Sequence, residues 1–209
     1  MKIFYGGSRL ARGNSELPPE VVERLAQDMA EDNHILVGDA AGADAAVQRF
    51  LASHGYQNVT IYYSRPEPRV MLDPSWRTHR PANPDDLQGY ALQQVKDRAM
   101  ADDADNGVML WNPVTYNRFR NVEVSKGTLA NCVNLLKAEK PVTLYYAPED
   151  HTYYFDTFVS FEAWVHDLPE PPGFDKPTKP KILDRLHESV KKFDELQRSE
   201  TEERQQALF

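Results

Sequence analysis

Three short segments of this chain carry residue types that can hold an oxyanion. The first is Gly6-Gly7-Ser8-Arg9. Glycines let the backbone adopt unusual dihedrals and come close to an anion. Ser8 adds a hydroxyl donor, and Arg9 offers a planar fork of N–H donors that matches a phosphate. The second is Gly38-Asp39-Ala40-Ala41-Gly42-Ala43-Asp44, whose small residues leave the amides of a following helix bare for a ligand. The third, Ser125-Lys126-Gly127-Thr128, supplies a hydroxyl, a lysine and free amides at the start of another helix. None has the spacing G-x-G-x-x-G or G-x-x-x-x-G-K-[ST], so a dinucleotide fingerprint and a P-loop are both disfavoured. Taken singly, each segment reads equally well as a good turn. Their joint placement after successive strands is what points to a phosphate cradle.

Other residues qualify on weaker grounds. Lys96, Asp97 and Arg98 are consecutive on a helical stretch and cannot share one face, so at most one or two of them point into a site, and a solvated helix face is the alternative. Asp44 reads first as a helix-capping group. Trp111 and Asn112 follow a strand, where the indole suits either stacking on a base or the core. Arg65, Arg69, Arg77, Arg80, Arg118 and Arg120 lie in two long loops that suit closing over a ligand, although each one singly suits a solvated loop as well. Cys132 is the only cysteine, which excludes an intramolecular disulfide and a cysteine zinc site, and it reads as a small core residue. The histidines show no H-x-x-H or H-E-x-x-H spacing, so no metal site is expected, and nothing calls for a cofactor.

The elements that must position these residues alternate strand with helix, the pattern of a doubly wound, mostly parallel α/β sheet. Strands are expected at residues 2–5, 34–37, 59–63, 107–111 and 142–146, with an antiparallel return at 152–158. Helices are expected at 18–32, 44–54, 85–101 and 128–139, and a short one at 160–166 capped by Ser160. Residues 64–84 and 113–125 show no periodicity and read as long loops, which are commonly functional. The expected organisation is a nucleotide-binding domain at 1–168, a proline-rich linker at 169–180 and a polar helix at 181–209. Leu183, Leu186, Val190, Phe193 and Leu196 form the only apolar stripe of that helix, suited to a partner helix or to the domain surface.

Composition bounds the partners. The chain has 209 residues, 32 acidic against 24 basic, for a net charge of −8. Binding to a duplex backbone is driven by counterion release and usually uses a basic face, so the overall sign argues against a nucleic-acid partner. No apolar run approaches the roughly 20 residues that span a bilayer. The opening MKIFYGGSR lacks a signal-peptide apolar region, and a cytoplasmic location is expected.

The runs GGSR, LVGDAAGAD, VKDRAMADDADNGVMLWN and SKGT, with Asn131 after the last, resemble the SLOG superfamily over roughly the first 147 residues. This is a Rossmann-like group that includes the cytokinin-activating LOG phosphoribohydrolases and the DNA-processing protein A fold. The similarity is greatest to its small stand-alone YpsA/YspA-like branch. The resemblance implies that Gly6, Gly7, Ser8 and Arg9 form a phosphate loop, that Gly38, Gly42 and Asp44 match a second signature, and that Gly127 and Thr128 match the last loop, with Asp39, Ser125 and Asn131 beside them as further candidate binding residues. It places Lys96 and Asp97 at a helix motif and Trp111 and Asn112 where a base or sugar lies. Two positions depart from the LOG pattern: Asn131 stands at its catalytic glutamate and Lys96 at its arginine. An amide cannot accept a proton as a carboxylate does, so LOG-type hydrolysis would need Asp44, Asp97 or Glu123 instead. The expected function is therefore binding of a nucleotide or nucleotide-derived molecule, such as a nucleoside monophosphate or an ADP-ribose-like compound. The alternative is an N-glycosidic hydrolase or transferase acting through Lys96, Asp97 and Asp44. A homo-oligomer is expected from the resemblance and the apolar stripe.

Overall fold

The computed structural model of the protein describes residues 1–8, 16–83, 86–116, 119, 121–171, 174 and 177–206. Short β-branched and aromatic runs form the strands β1 (Lys2–Gly7), β2 (His34–Gly38), β3 (Val59–Tyr62), β4 (Arg77–His79), β5 (Asn106–Trp111), β6 (Val114–Tyr116), β7 (Val122–Val124), β8 (Val142–Tyr146) and β9 (His151–Phe155). Between and after them run the helices α1 (Pro19–Ala30), α2 (Ala43–Ser53), α3 (Gly89–Asp103), α4 (Lys126–Lys137), α5 (Phe158–Asp167) and α6 (Lys179–Gln206). The main sheet has seven strands in the order β4-β3-β2-β1-β5-β8-β9. All its pairings are parallel except that of β9 with β8.

Strand side chains alternate between faces, and each face of this sheet has its own core. Ile3 and Tyr5 on β1 pack with Val21 and Leu25 of α1 and Val47 and Leu51 of α2. Phe4, between them, packs on the other face with Met100 of α3, Leu129 and Val133 of α4, and Phe161 of α5. The fold is thus α/β, with helices covering both sides of a mostly parallel sheet. The strand order reverses direction at β1, between β2 and β5, and open sheets of this kind leave a crevice beyond the carboxyl ends there.

Several details differ from the sequence expectations. The stretch read as an aperiodic loop at 64–84 contains β4, a three-residue edge strand with all three side chains exposed. A three-residue edge strand with exposed side chains leaves no apolar alternation to read, although its His79 ring packs back, 4.8 Å from that of Tyr62. It is anchored instead by the neighbouring Trp76, 3% exposed, whose indole donates to the Tyr56 carbonyl at 2.8 Å. The second long loop contains the antiparallel pair β6 and β7. Helix α5 begins at Phe158, and its cap is Thr157, which accepts from the Ser160 amide, rather than Ser160 itself. Gly6 and Gly7 lie within β1 instead of in a turn after it.

The C-terminal region packs onto the sheet domain. Ile182, Leu186 and Phe193 of α6 are buried in the same core as α4 and α5. Leu183 and Val190 are partly buried against it. Of the apolar stripe only Leu196, 49% exposed, stays largely in solvent, so the stripe is occupied within the chain and no longer argues for a second copy. In the proline-rich stretch the Glu170 carboxylate accepts from the Thr178 hydroxyl at 2.6 Å and the Lys179 amide at 3.1 Å, which caps the start of α6. No helix among the described residues is long and apolar enough to cross a membrane.

Candidate functional site

The crevice beyond the ends of β1 and β2 holds a cavity of about 470 Å³, roofed on one side by the start of α4 and on the other by α3. Its walls gather Gly6, Gly7 and Ser8 from the first segment, Ala40, Ala41 and Asp44 from the second, and Ser125, Lys126, Gly127 and Thr128 from the third. The three bends therefore meet at one rim. Side-chain hydroxyls tie the first to the third: Ser8 Oγ lies 2.6 Å from Ser125 Oγ and 3.2 Å from Thr128 Oγ1. The Ala43 amide donates to the Ser8 carbonyl at 3.4 Å and ties in the second.

The glycines divide by role. A Cβ on Gly7 would sit 2.4 Å from the Leu110 carbonyl oxygen, so glycine there is demanded by the neighbouring strand and not by a ligand. Gly42 has φ of 110°, a left-handed conformation that side chains disfavour, and it turns the chain into α2. Gly127 is different: nothing lies within 4 Å of where its Cβ would be. Among the described residues no side chain caps the 12-residue α4 at Ser125, so its first amides receive no side-chain acceptor there. A helix start presents unpaired N–H groups and a partial positive charge, the combination that binds an oxyanion. Lys126 stands beside them with its ammonium 3.9 Å from the centre of the Tyr90 ring.

The cavity floor is a buried charge cluster. Lys96, 3% exposed, reaches from α3 and places its ammonium 3.0 Å from Asp97 Oδ1 and 3.9 Å from Asp39 Oδ1. Asp39 is fully buried and receives a two-pronged bond from Arg69, Nε to Oδ2 at 3.0 Å and Nη2 to Oδ1 at 2.7 Å, with the Arg69 amide adding a third at 3.1 Å. Burial works against the charge on Asp39, but those bonds and Lys96 hold its carboxyl below the usual carboxylate range. Asp44 is 7% exposed and accepts a backbone bond from Ala40 at 3.1 Å. Burial pushes its carboxyl up to about 6, against the pull of Lys96. For Lys96 itself burial favours the neutral amine, and the carboxylates of Asp97, Asp44 and Asp39 overcome this to hold the ammonium above its ordinary value.

Asn131 completes the site. It is 7% exposed, lines the cavity one helical turn beyond Thr128, and its Oδ1 is buried without a hydrogen-bond partner among the described residues. A buried acceptor left unpaired costs free energy, and such atoms commonly mark a place that a ligand or water completes.

Ten of the sequence-selected residues thus line one cavity: Gly6, Gly7, Ser8, Asp44, Lys96, Asp97, Ser125, Gly127, Thr128 and Asn131. Gly38 lies just beneath it, where a Cβ would meet Asp44 Oδ2 at 2.3 Å and Lys96 Nζ at 2.9 Å. Asp39 supports the floor and Gly42 the turn, without lining the cavity. Trp111 is a correction: it is 1% exposed, packs 5.7 Å from the Tyr146 ring and 6.2 Å from Trp164, and belongs to the core rather than to a base-stacking surface. Asn112 is not among the residues that line the cavity, and its backbone amide and carbonyl bond Ser8 Oγ at 3.1 and 3.2 Å. Arg98 turns away from the cavity to Asp102. Of the loop arginines, Arg69 alone among those described lines the cavity, while Arg65, Arg77 and Arg80 are exposed. Arg9, Arg118 and Arg120 lie outside the described residues.

Sequence reasoning missed Tyr90 and Gln93, which also line the cavity. Their spacing from Lys96, Asp97 and Met100 along α3 traces one helical face, and that periodicity was the available signal. Among the described residues no cluster of His, Cys, Asp and Glu could hold a metal ion.

Comparison with known proteins adds no relative. No family model matches the chain, and no curated protein matches it. The functional reading rests on the residues themselves.

Proposed function

We propose that the protein binds a nucleotide or nucleotide-derived small molecule, a nucleoside monophosphate or an ADP-ribose-like compound, with a phosphate at the start of α4. The observation that carries this reading is the start of α4, without a side-chain cap and with open space beside Gly127, next to Lys126 and the hydroxyls of Ser8, Ser125 and Thr128 in one cavity of about 470 Å³. The ionisable side chains lining the cavity balance, with Asp44, Asp97 and Glu123 against Arg69, Lys96 and Lys126. An anion is therefore drawn to the α4 end, where helix amides and Lys126 add positive potential. The SLOG resemblance supports the same placement.

Calorimetric titration with AMP, ADP-ribose and inorganic phosphate tests this. Gly127→Asp puts a carboxylate at the helix start and should abolish binding, while Lys126→Ala should weaken it about tenfold, the effect of losing one charged hydrogen bond. Binding that survives Gly127→Asp unchanged would place the phosphate elsewhere.

A second reading is favoured by one observation, the Asp44 carboxyl pushed up to about 6 inside the same cavity. A carboxyl that titrates close to neutrality can pass a proton in either direction. In N-glycosidic hydrolysis water would add to the anomeric carbon, the carbon–nitrogen bond would break, and the base would leave with a proton. Release of free base from nucleoside monophosphates, lost in Asp44→Asn, would favour cleavage. Binding without turnover would leave a sensing or carrier domain.

A further inference from the structure

Beside the cavity lies a second and larger one, a groove of about 600 Å³ enclosed by α3, α4 and α6. The two adjoin: Tyr90, Asp97 and Asn131 line both. Away from that border the groove is mainly apolar, walled by Ala91 and Val95 of α3, Ala130 of α4, and Phe193 and Leu196 of α6. Helix α4 runs from one compartment into the other. Gly127 opens the first, Asn131 stands at the border, and Asn134 lines the second. At ~1.5 Å of rise per residue, Asn131 is ~6 Å and Asn134 ~10 Å along the axis from Gly127. Those lengths match the reach from a phosphate through a sugar to a ring.

We propose that this groove is the subsite for a flat, largely apolar ring carried by the same ligand whose phosphate sits at the start of α4, and that the ring or its sugar presents a hydrogen-bond donor to Asn131 Oδ1. The inference rests on the reading given under Proposed function and extends it by assigning the ligand's other half. Two observations carry it independently of the phosphate site. The first is the unpartnered, deeply buried oxygen of Asn131, a residue that lines both cavities. The second is the position of α6, which walls the groove with Phe193 and Leu196 after its stripe has packed on the domain. A large, convex partner surface fits neither. The helix that closes the chain thereby becomes the element that selects the ring.

Calorimetry with AMP and ribose 5-phosphate, on the full chain and on Leu196→Trp and Ala91→Trp, tests the assignment. Both positions are exposed on opposite walls, so an indole at either fills the groove without entering the core, and a melting curve confirms that each variant folds. The wild type should bind AMP roughly 10–100-fold more tightly than ribose 5-phosphate, the span expected for seating one ring on an aromatic and apolar surface. Either tryptophan should reduce AMP to the level of ribose 5-phosphate and leave ribose 5-phosphate unchanged. Equal binding of the two probes by the wild type would overturn the groove assignment while leaving the phosphate site standing. Failure of both probes to bind would overturn both readings. A dimer in solution that Leu196→Trp disrupts, together with equal binding of the probes, would make the groove a contact between copies and overturn the proposal. Purine riboside 5′-monophosphate, which lacks the exocyclic amine, should bind more weakly than AMP if that amine is the donor to Asn131. Equal affinity would move the donor to the sugar, and Asn131→Leu must then weaken AMP and ribose 5-phosphate alike or the Asn131 contact is refuted.

Discussion

Asp44→Asn is expected to stabilise the protein at pH 8 and to give no gain at pH 4. Burial pushes the Asp44 carboxyl from its ordinary 3.8 up to about 6, and Lys96 and the Ala40 amide recover only part of that cost. A carboxyl whose folded value exceeds its unfolded value binds its proton more tightly in the native state. Ionisation therefore lowers stability as pH rises between about 4 and 6, and the cost is complete above that window. The gap from 3.8 to about 6 corresponds to roughly 3 kcal/mol. Asparagine never ionises and keeps an oxygen for the Ala40 amide, but it turns an NH₂ group toward Lys96. That donor-to-donor contact takes back roughly 1–2 kcal/mol. The net gain at pH 8 is about 1–2 kcal/mol, a rise in Tm of roughly 2–8 °C for a chain of this size. Thermal unfolding followed by circular dichroism from pH 4 to 8.5 reads it directly. A variant less stable than wild type by the same amount at both ends of the range would refute the reasoning. It would mean that attraction to Lys96 outweighs burial and that Asp44 is ionised throughout.

The opposite substitution in the same cluster should be severe. Lys96→Met removes the cation between Asp39, Asp44 and Asp97 and is expected to cost about 3–5 kcal/mol in urea unfolding, because buried carboxylates are left uncompensated. Adding Asp44→Asn to it should restore part of the loss, and no recovery would argue that the two do not interact. At the other end of the chain, Glu170→Ala removes the carboxylate that caps α6 and should cost about 1 kcal/mol at neutral pH. The bonds from Thr178 hold that carboxyl below its ordinary value, so the contribution of Glu170 should be present at neutral pH and fade as acid protonates it. A Glu170→Ala variant with wild-type stability at pH 7 would show that α6 docks through its apolar face alone.

The alternation of strand and helix, and with it the α/β class, was legible because side-chain periodicity reports directly on which face of an element is buried. Lys96 and Asp97 were likewise legible as charged residues on a helix that delivers them to the carboxyl ends of the strands. Edge strand β4 escaped notice because its three side chains are exposed, and the β6–β7 pair because three-residue strands are too short for Val114, Val122 and Val124 to show a period. Trp111 was ambiguous in the sequence, because a strand-end indole serves equally as a stacking plate or as core. Its packing against Tyr146 and Trp164 decided for core.

The sequence by itself determined which local segments could turn tightly, expose amides and carry charge, because those properties belong to single residues and their near neighbours. Only the tertiary structure decided that Ser8, Ser125 and Thr128 touch, that Arg69 reaches back to Asp39, and that Asn131 is left with an empty acceptor. It also decided that α6 walls a groove instead of standing apart. These contacts join residues separated by 30 to more than 100 positions, and such separations leave no trace in local spacing. They are fixed by the order of strands in the sheet, which brings the ends of β1 and β2 and the start of α4 to one rim.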